Sequence, residues 1–219
     1  MNLVRTQGVV LRYENRREAD RLLTVLSPDL GRILVYARGC RKQSSRFLAF
    51  SQLFCYGEII IKPYRDIYIL NQAEVKNSYF NIRNDVDRLA CATYAANLAE
   101  AAATTGESNA GLFALVLQAL SYLSYSDHHP LKIVLIYELK LLERIGYRPL
   151  VESQAVSGIP VHPQTAGAVK RILDSEPVQA ADIQMCPMVR QELNRILPLI
   201  IEDKLELKIN SRSFLNLIT

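Results

Sequence analysis

The sequence lacks the residue spacings on which disulfide-bonded and metal-dependent proteins depend. Its four cysteines, Cys40, Cys55, Cys91 and Cys186, lie far apart, and no two of them form a C-x-x-C pair. Isolated cysteines of this kind favour free thiols in a reducing compartment over a disulfide framework or a zinc site. The three histidines do not combine with acidic residues at metal-ligand spacing. The sequence therefore predicts no metal and no other cofactor.

Motifs that carry catalysis or membrane insertion are also missing. The chain has no G-x-x-x-x-G-K-[ST] phosphate loop, no G-x-S-x-G elbow and no D-x-D pair, so we expect it not to be an enzyme. Lys132, Glu138 and Lys140 interrupt the longest apolar run, and no run approaches the roughly 18 uncharged residues of a membrane span. The first residues contain no apolar signal-peptide core. These absences predict a cytoplasmic protein without a membrane partner.

Positive charge is concentrated in the first third of the chain. The net charge is +4 over 219 residues, but residues 1–80 carry +6 and residues 81–219 carry −2. This asymmetry predicts two modules with different partners, and nucleic acid is the leading candidate partner of the basic module. The length is sufficient for one large or two small domains.

The densest group of cations lies in one short stretch, "ARGCRKQSSR", which contains no acidic residue. Guanidinium groups bind phosphate through two parallel hydrogen bonds, and lysine adds a mobile point charge. We therefore predict a DNA-binding site with two supporting arginines from the neighbouring strands. Its residues are Arg38, Arg41, Lys42, Arg46, Arg32 and Arg21. The alternative is a solvated loop without a partner, and the mixed run "RYENRREADR" before it is expected to pair its own charges.

Residues 1–79 have the period of β-strands. Five short segments have the composition of strands, among them "DRLLTVLS", with Leu22, Thr24 and Leu26 on one face, "GRILVYA", with Ile33 and Val35 on one face, and the alternating "DIYILNQAEV". In the last of these, Ile67, Ile69, Asn71, Ala73 and Val75 are expected to share one face. Five strands without a long helix between the first four predict an OB-type barrel, in which exposed tyrosines such as Tyr13, Tyr36, Tyr56, Tyr64 and Tyr68 can stack on bases.

Residues 80–219 change to a helical period, so the predicted fold class is α+β, an OB-type barrel followed by an all-helical domain. The helices are expected near 84–104, 112–123, 131–145, 164–173 and 188–205, with Pro198 kinking or ending the last one. The helix at 131–145 is apolar nearly all round, which indicates the centre of a bundle. Residues 148–163 have no clear period and are expected to be irregular, and "SRSFLNLI" is expected to form a last short turn.

Two cations at the end of the central helix offer a second type of site. Arg144 and Arg148 could border an apolar groove that accepts an acidic, hydrophobic peptide tail. The alternative is that they only complement the helix dipole, as basic residues at helix C-termini commonly do.

The N-terminal motifs together resemble one known family. They are T-x-G-[IV]-V-L at 6–11, "EADRLLT" at 18–24, "GRILVYARGCRK" at 31–42 and "QAEV" at 72–75, with "LIYELKLLERIGYRP" at 135–149 and "INSRSFL" at 209–215 further on. This combination resembles the RecO family of bacterial recombination mediators. Members of that family often carry a four-cysteine zinc module after a GY-x-P motif. Here residues 150–163 contain no cysteine, so we expect a degenerate, metal-free version of that segment.

The resemblance implies a DNA-repair mediator that binds single- and double-stranded DNA and anneals complementary strands. It further implies cooperation with RecR and single-stranded DNA-binding protein in loading the RecA recombinase. Two alternatives stay open from the sequence: a protein–protein adaptor with little DNA activity of its own, and an RNA-binding OB protein.

Overall fold

The computed structural model describes residues 3–205, which begin with five strands and continue into helices. The strands are Val4–Arg16 (β1), Asp20–Ser27 (β2), Gly31–Ala37 (β3), Tyr56–Tyr64 (β4) and Ile67–Asn77 (β5). A 3-10 helix at Phe80–Asn84 leads into α1 (Val86–Ala102), α2 (Ala110–Tyr125) and α3 (Pro130–Arg144). Three two-residue strands, β6 to β8, precede α4 (Pro163–Asp174), α5 (Pro177–Ala180) and α6 (Pro187–Leu205). No helix within residues 3–205 is long and apolar enough to cross a membrane.

The first five strands close into a barrel in the order β1-β2-β3-β5-β4. All neighbours are antiparallel except β3 and β5, where Val35 pairs with Tyr68 and Tyr36 with Ile69 in parallel. This arrangement is the OB-type barrel that the strand pattern predicts. The interior is filled by aliphatic side chains, including Val10, Leu23, Val25, Ile33, Val35, Ile59, Ile61 and Leu70.

A β-bulge in β5 breaks the alternation that the sequence suggests. Ile61 pairs with Leu70 and Ile60 pairs with Gln72, which leaves Asn71 without an opposite residue. One extra residue resets the period of two, so Leu70 and Ala73 both pack into the barrel core. The prediction that residues 67–75 alternate strictly across the strand was therefore wrong beyond Asn71.

The long β3–β4 connection is anchored to the barrel interior. Residues 38–55 form a series of turns, yet Cys40, Phe47 and Phe50 in this connection belong to the core of the barrel. The Phe50 side chain has 0% exposed surface. Burial of three apolar side chains fixes the course of the connection, so its charged residues project from a held backbone rather than from a free loop.

The chain divides into two compact units that interleave in sequence. One unit comprises the chain up to Phe80 together with Ala96–Leu120, and the other comprises Asn81–Ala95 together with the chain from Ser121. Helices α1 and α2 therefore contribute to both units. The proposed domain boundary between residues 79 and 80 remains our working division of the sequence.

Helix α3 is the centre of the second unit, as its nearly all-apolar surface predicts. Every residue from Leu131 to Leu142 is buried, and α3 contacts α4, α5 and α6. Helix α6 buries the predicted stripe of Val189, Leu193, Ile196, Leu197 and Ile200. It continues through Pro198, so this proline does not end a segment, and the kink, the other expected outcome, stays a prediction. The turn expected at "SRSFLNLI" lies outside the described residues.

The segment expected to be irregular contains a small antiparallel sheet. Its strands are Val151–Glu152 (β6), Ala155–Val156 (β7) and Ile159–Pro160 (β8). Ser157 and Gly158 join the last two with φ values of +51° and +77°, which is the backbone of a primed hairpin turn. The Ser-Gly pair was the sequence signal for this hairpin, and strands of only two residues are too short to show a period.

Candidate nucleic-acid interface

A carboxylate at the start of β2 organises the beginning of the cationic connection. The Gly39 amide donates to Oδ1 of Asp20, and the Tyr36 hydroxyl donates to Oδ2, both at 2.7 Å. These two hydrogen bonds, that from Gly39 first, lower the pKa of Asp20, and the charges of Arg17 and Arg38 act in the same direction. Gly39 has a φ of +61°, so the turn that brings its amide to Asp20 favours glycine.

The same connection is tied to the β1–β2 turn through the main chain. The Arg41 amide donates to the Ala19 carbonyl at 3.0 Å, and the Arg41 guanidinium donates to the Glu18 carbonyl at 3.0 Å. Residues 17–20 and 38–42 are therefore held together, although about twenty positions separate them in sequence.

The outcome is a cluster of exposed cations on two joined loops, which we call the cation platform. It consists of Arg17, Arg38, Arg41 and Lys42. Within the described part of the chain, no carboxylate forms an ion pair with any of these four side chains. Three of them were predicted from the sequence, and Arg17 joins them because the β1–β2 turn lies beside the connection. Such unpaired charge favours an anionic ligand.

The other three predicted DNA-binding residues are engaged by main-chain carbonyls. Arg21 donates to the Ser51 carbonyl at 2.8 Å, and its guanidinium lies 3.8 Å from the centre of the Tyr13 ring. Arg46 donates to the carbonyl of the bulged Asn71 at 2.9 Å. Arg32 donates to the Glu100 carbonyl at 3.3 Å. These contacts give each side chain a structural role, as the bond to the Glu18 carbonyl does for Arg41. They direct Arg21, Arg46 and Arg32 to other parts of the chain than the two joined loops of the cation platform.

The outer face of β2 and β3 contributes to a separate cleft of about 390 Å³. The lining residues come from the barrel and from the end of α1 with the loop that follows it: Arg12, Thr24, Arg32, Ile33, Leu34, Asp66, Tyr68, Glu100, Thr105 and Gly106. The carboxylate of Glu100 pairs with Arg12 at 3.2 Å. The Arg32 amide donates to the Thr104 carbonyl at 3.2 Å and holds this loop against the barrel.

Most of the candidate stacking tyrosines are occupied by contacts within the protein. Tyr36 is bonded to Asp20, and the Tyr56 ring packs edge-on against Phe113 with 6.0 Å between centroids. Tyr64, at the β4–β5 turn, is 48% exposed.

The two candidate partner-binding arginines lie in different environments at the end of α3. Arg148 forms ion pairs with Glu143 at 2.6 Å and with Asp174 at 2.5 Å. Arg144 is exposed and forms no ion pair with the described residues. The Lys140 ammonium, by contrast, is buried and bound to Glu143 at 2.9 Å.

The cysteine-free segment is followed by a carboxylate-centred contact. Glu192 accepts hydrogen bonds from the Thr165 hydroxyl and, at 3.0 Å, from the His162 amide. Both bonds, that from Thr165 first, lower the pKa of Glu192 against the effect of desolvation. They connect the first turn of α4 to α6. Among residues 3–205, no three His, Cys, Asp or Glu side chains are grouped in a way that could hold a metal ion.

Comparison with known proteins agrees with these features along most of the chain. Residues 1–79 match the family model described as "Recombination protein O N terminal", and residues 83–165 match "Recombination protein O C terminal". A protein of Acetivibrio thermocellus called "DNA repair protein RecO" is 36% identical over 70% of this chain and 61% of its own length. A protein of Symbiobacterium thermophilum with the same name is 27% identical over 99% of this chain and 98% of its own length.

Another relative with this name, from Alkaliphilus metalliredigens, is 34% identical over 69% of this chain, and the match spans 61% of the relative's length. The relatives from Acetivibrio thermocellus and Alkaliphilus metalliredigens are thus matched over less than two thirds of their own length. The two family models together cover the barrel and the helices as far as α4, and the barrel has the topology that the motifs predict. The chain belongs to the RecO family.

Proposed function

We propose that this protein is a cytoplasmic, non-enzymatic DNA-repair mediator that binds single- and double-stranded DNA and anneals complementary strands. It would act together with RecR and single-stranded DNA-binding protein to load the RecA recombinase. The single observation that carries the DNA-binding part is the cation platform, in which four exposed, unpaired cations are held by Asp20 and by main-chain hydrogen bonds.

The chemistry of the platform suits annealing. Contacts to phosphate position a nucleic acid without reading its sequence. Two strands can approach each other when their phosphate charge is neutralised, provided that the base edges remain free to pair. A platform of guanidinium and ammonium groups supplies that neutralisation, and repulsion among its four like charges is relieved when a phosphate binds.

We expect the combined substitution of Arg38, Arg41 and Lys42 by alanine to weaken binding of single- and double-stranded DNA of any sequence. With about four phosphates engaged, the plot of log K against log salt for single strands should have a slope near −3 in the wild type, at about −0.7 per contact. Loss of three contacts should flatten the slope by about 2. Fluorescence anisotropy across a salt series measures both quantities, and strand annealing should slow in parallel.

A matched control removes the same charge elsewhere. Lys170, Arg171 and Arg195 are exposed residues of α4 and α6, and their replacement by alanine should leave the salt slope unchanged. Equal losses in the two triple variants would show that net charge, and not the platform, governs binding. Competition between DNA and RNA oligonucleotides of equal length separates this function from the RNA-binding alternative.

We further propose Arg144 and Arg148 as the contact for an acidic partner tail. Arg144 is the better candidate, because Arg148 already neutralises Glu143 and Asp174. Arg144→Ala should reduce binding of an acidic C-terminal peptide of single-stranded DNA-binding protein without changing DNA affinity. Peptide binding in a wild-type protein that does not bind DNA would favour the adaptor alternative.

A further inference from the structure

An exposed serine lies among the residues of the cation platform. Ser44 follows Arg41 by three positions and Lys42 by two. Its side chain is exposed, and within residues 3–205 its hydroxyl has no hydrogen-bond partner. The neighbouring Ser45 differs, because its hydroxyl oxygen accepts a hydrogen bond from the Phe47 amide at 3.2 Å. The Ser44 hydroxyl is therefore free to react, whereas that of Ser45 stabilises the local turn.

Two consecutive turns keep this serine beside the cations. The Lys42 amide donates to the Gly39 carbonyl at 3.1 Å, and the Ser45 amide donates to the Lys42 carbonyl at 2.9 Å. Three residues span at most about 11 Å even in a fully extended chain, so the Cα atoms of Arg41 and Ser44 lie closer together than that. A group attached to the Ser44 hydroxyl is therefore within reach of the long Arg41 and Lys42 side chains.

The residues before Ser44 form a charge pattern that basophilic serine/threonine kinases select. These enzymes bind an arginine three positions before the acceptor hydroxyl, and a second basic residue two positions before it strengthens binding. In the whole sequence, only Ser44 and Thr24 follow an arginine at the first of these spacings. Thr24 lies in β2 and is 3% exposed, so of the two only Ser44 is accessible to a kinase in the folded protein.

We propose that Ser44 is a phosphorylation site whose modification switches the cation platform off. In this reaction the Ser44 Oγ attacks the γ-phosphorus of ATP, and the new O–P bond replaces the bond to the β-phosphate. ADP leaves, and the hydroxyl proton passes to a base of the kinase. The phosphate carries about −1.5 to −2 charges at neutral pH, so it neutralises about half of the platform. This inference rests on the proposed DNA-binding function and adds its regulation.

The attached phosphate competes directly with DNA for the same donors. A phosphate opposite an arginine cluster accepts charge-assisted hydrogen bonds, and its attachment to the chain gives it an effective concentration in the millimolar range. Arg41 has five N–H groups, of which one donates to the Glu18 carbonyl, so most of its guanidinium remains available. Because Cys40 and Phe47 hold both ends of the segment in the barrel core, the cations stay close to the phosphate.

The effect on DNA is measured with the full-length chain carrying phosphoserine incorporated at position 44 during translation. We expect single-strand affinity at about 0.15 M salt to fall roughly tenfold and the salt slope to flatten by about 1.4, the value of two phosphate contacts. Ser44→Glu adds one charge and should have about half of this effect on the slope. Two controls should leave affinity and slope unchanged: Ser44→Gln has the size without the charge, and Gln191→Glu places the charge on an exposed position of α6.

Access to the serine is tested on the folded wild-type chain, with the catalytic subunit of cAMP-dependent protein kinase and ATP as the probe. We expect this kinase to transfer phosphate to Ser44, located there by mass spectrometry, and to leave Thr24 unmodified. Ser44→Ala should lose this phosphate, and Ser45→Ala should keep it.

A thermal melt tests the contact between phosphate and platform without DNA. The phosphate relieves repulsion among the cations, so the phosphorylated chain should unfold about 2–4 °C higher at low salt, and this difference should disappear at about 1 M salt. No phosphate on Ser44 in the folded chain, unchanged DNA affinity after its modification, or an equal loss in Gln191→Glu would overturn the switch. No DNA binding by the unmodified wild-type protein would instead overturn the proposed function, while the salt-dependent shift in unfolding temperature would still report the phosphate on the platform.

Discussion

Replacement of Phe50 by alanine is expected to lower the free energy of unfolding by about 3–5 kcal/mol. The Phe50 ring is fully buried and packs in the core of the barrel together with Cys40 and Phe47 from the same connection. Truncation removes the transfer free energy of the ring and leaves a cavity that the closed barrel can fill only in part. Urea denaturation followed by circular dichroism measures the change.

This loss is a large fraction of the total free energy of unfolding, because single domains are stable by only about 5–15 kcal/mol. Phe80→Ala is the control, since Phe80 is 60% exposed and its truncation should change stability by no more than about 0.5 kcal/mol. A decrease below 1 kcal/mol for Phe50→Ala, with an unchanged denaturant slope, would mean that the barrel core does not depend on the connection.

Stability and DNA binding should be coupled through this residue. The connection that buries Phe50 also carries three members of the cation platform, Arg38, Arg41 and Lys42. In a loosened connection these cations sample many conformations. Binding to phosphate must then order them, and the conformational entropy lost in doing so weakens binding. Phe50→Ala should therefore weaken DNA binding at temperatures well below its own unfolding transition, although Phe50 cannot touch DNA.

Local patterns were sufficient for much of the fold. The alternation of β3, the nearly all-apolar surface of α3 and the stripe on α6 each report the burial of their own segment, and the sequence predicted all three. In β2, by contrast, Leu23 and Val25 lie in the barrel core, on the face opposite to the one that the pattern suggests. Asn109, a residue type that favours the position before a helix, caps α2: its side chain accepts a hydrogen bond from the Leu112 amide at 2.9 Å. These features depend on neighbours within a few residues.

The bulge at Asn71 and the acceptors of three arginines could not be read from the sequence in this way. Arg21, Arg46 and Arg32 donate to carbonyls that lie 30, 25 and 68 positions away. A main-chain carbonyl has no side chain to mark it, so the density of cations predicted the basic surface but not which cations a carbonyl would hold.

Asp20 shows the opposite case, a residue whose importance the local charges concealed. It lies in "RYENRREADR", where alternating charges predict pairing among neighbours, and Arg12 and Arg16 do pair with Glu14. Asp20 instead accepts hydrogen bonds from Gly39 and Tyr36. Replacement by alanine leaves the Gly39 amide without its acceptor and releases the start of the connection.

We expect Asp20→Ala to lower DNA affinity and Asp20→Asn not to lower it. Alanine removes the carboxylate that accepts the Gly39 and Tyr36 hydrogen bonds, so single- and double-strand affinity should fall about tenfold. This decrease corresponds to the loss of about 1.4 kcal/mol of pre-organisation. Asparagine keeps an acceptor for Gly39 and removes a negative charge beside Arg17 and Arg38, so affinity should be unchanged or higher. Anisotropy titrations with both variants at one salt concentration make the comparison.

The pH dependence of stability distinguishes the effect of the Asp20 hydrogen bonds from a general effect of its charge. The hydrogen bond from Gly39, followed by that from Tyr36, lowers the pKa of Asp20 in the folded state. A lowered pKa means that the carboxylate stabilises the fold above its unfolded pKa, near pH 4, and that this contribution disappears as pH falls through the folded pKa. The stability difference between wild type and Asp20→Ala should therefore be constant near neutral pH and shrink below about pH 4. A difference that does not change with acidification, or higher DNA affinity in Asp20→Ala, would mean that Asp20 acts on the cation platform only through its charge and does not hold it in place.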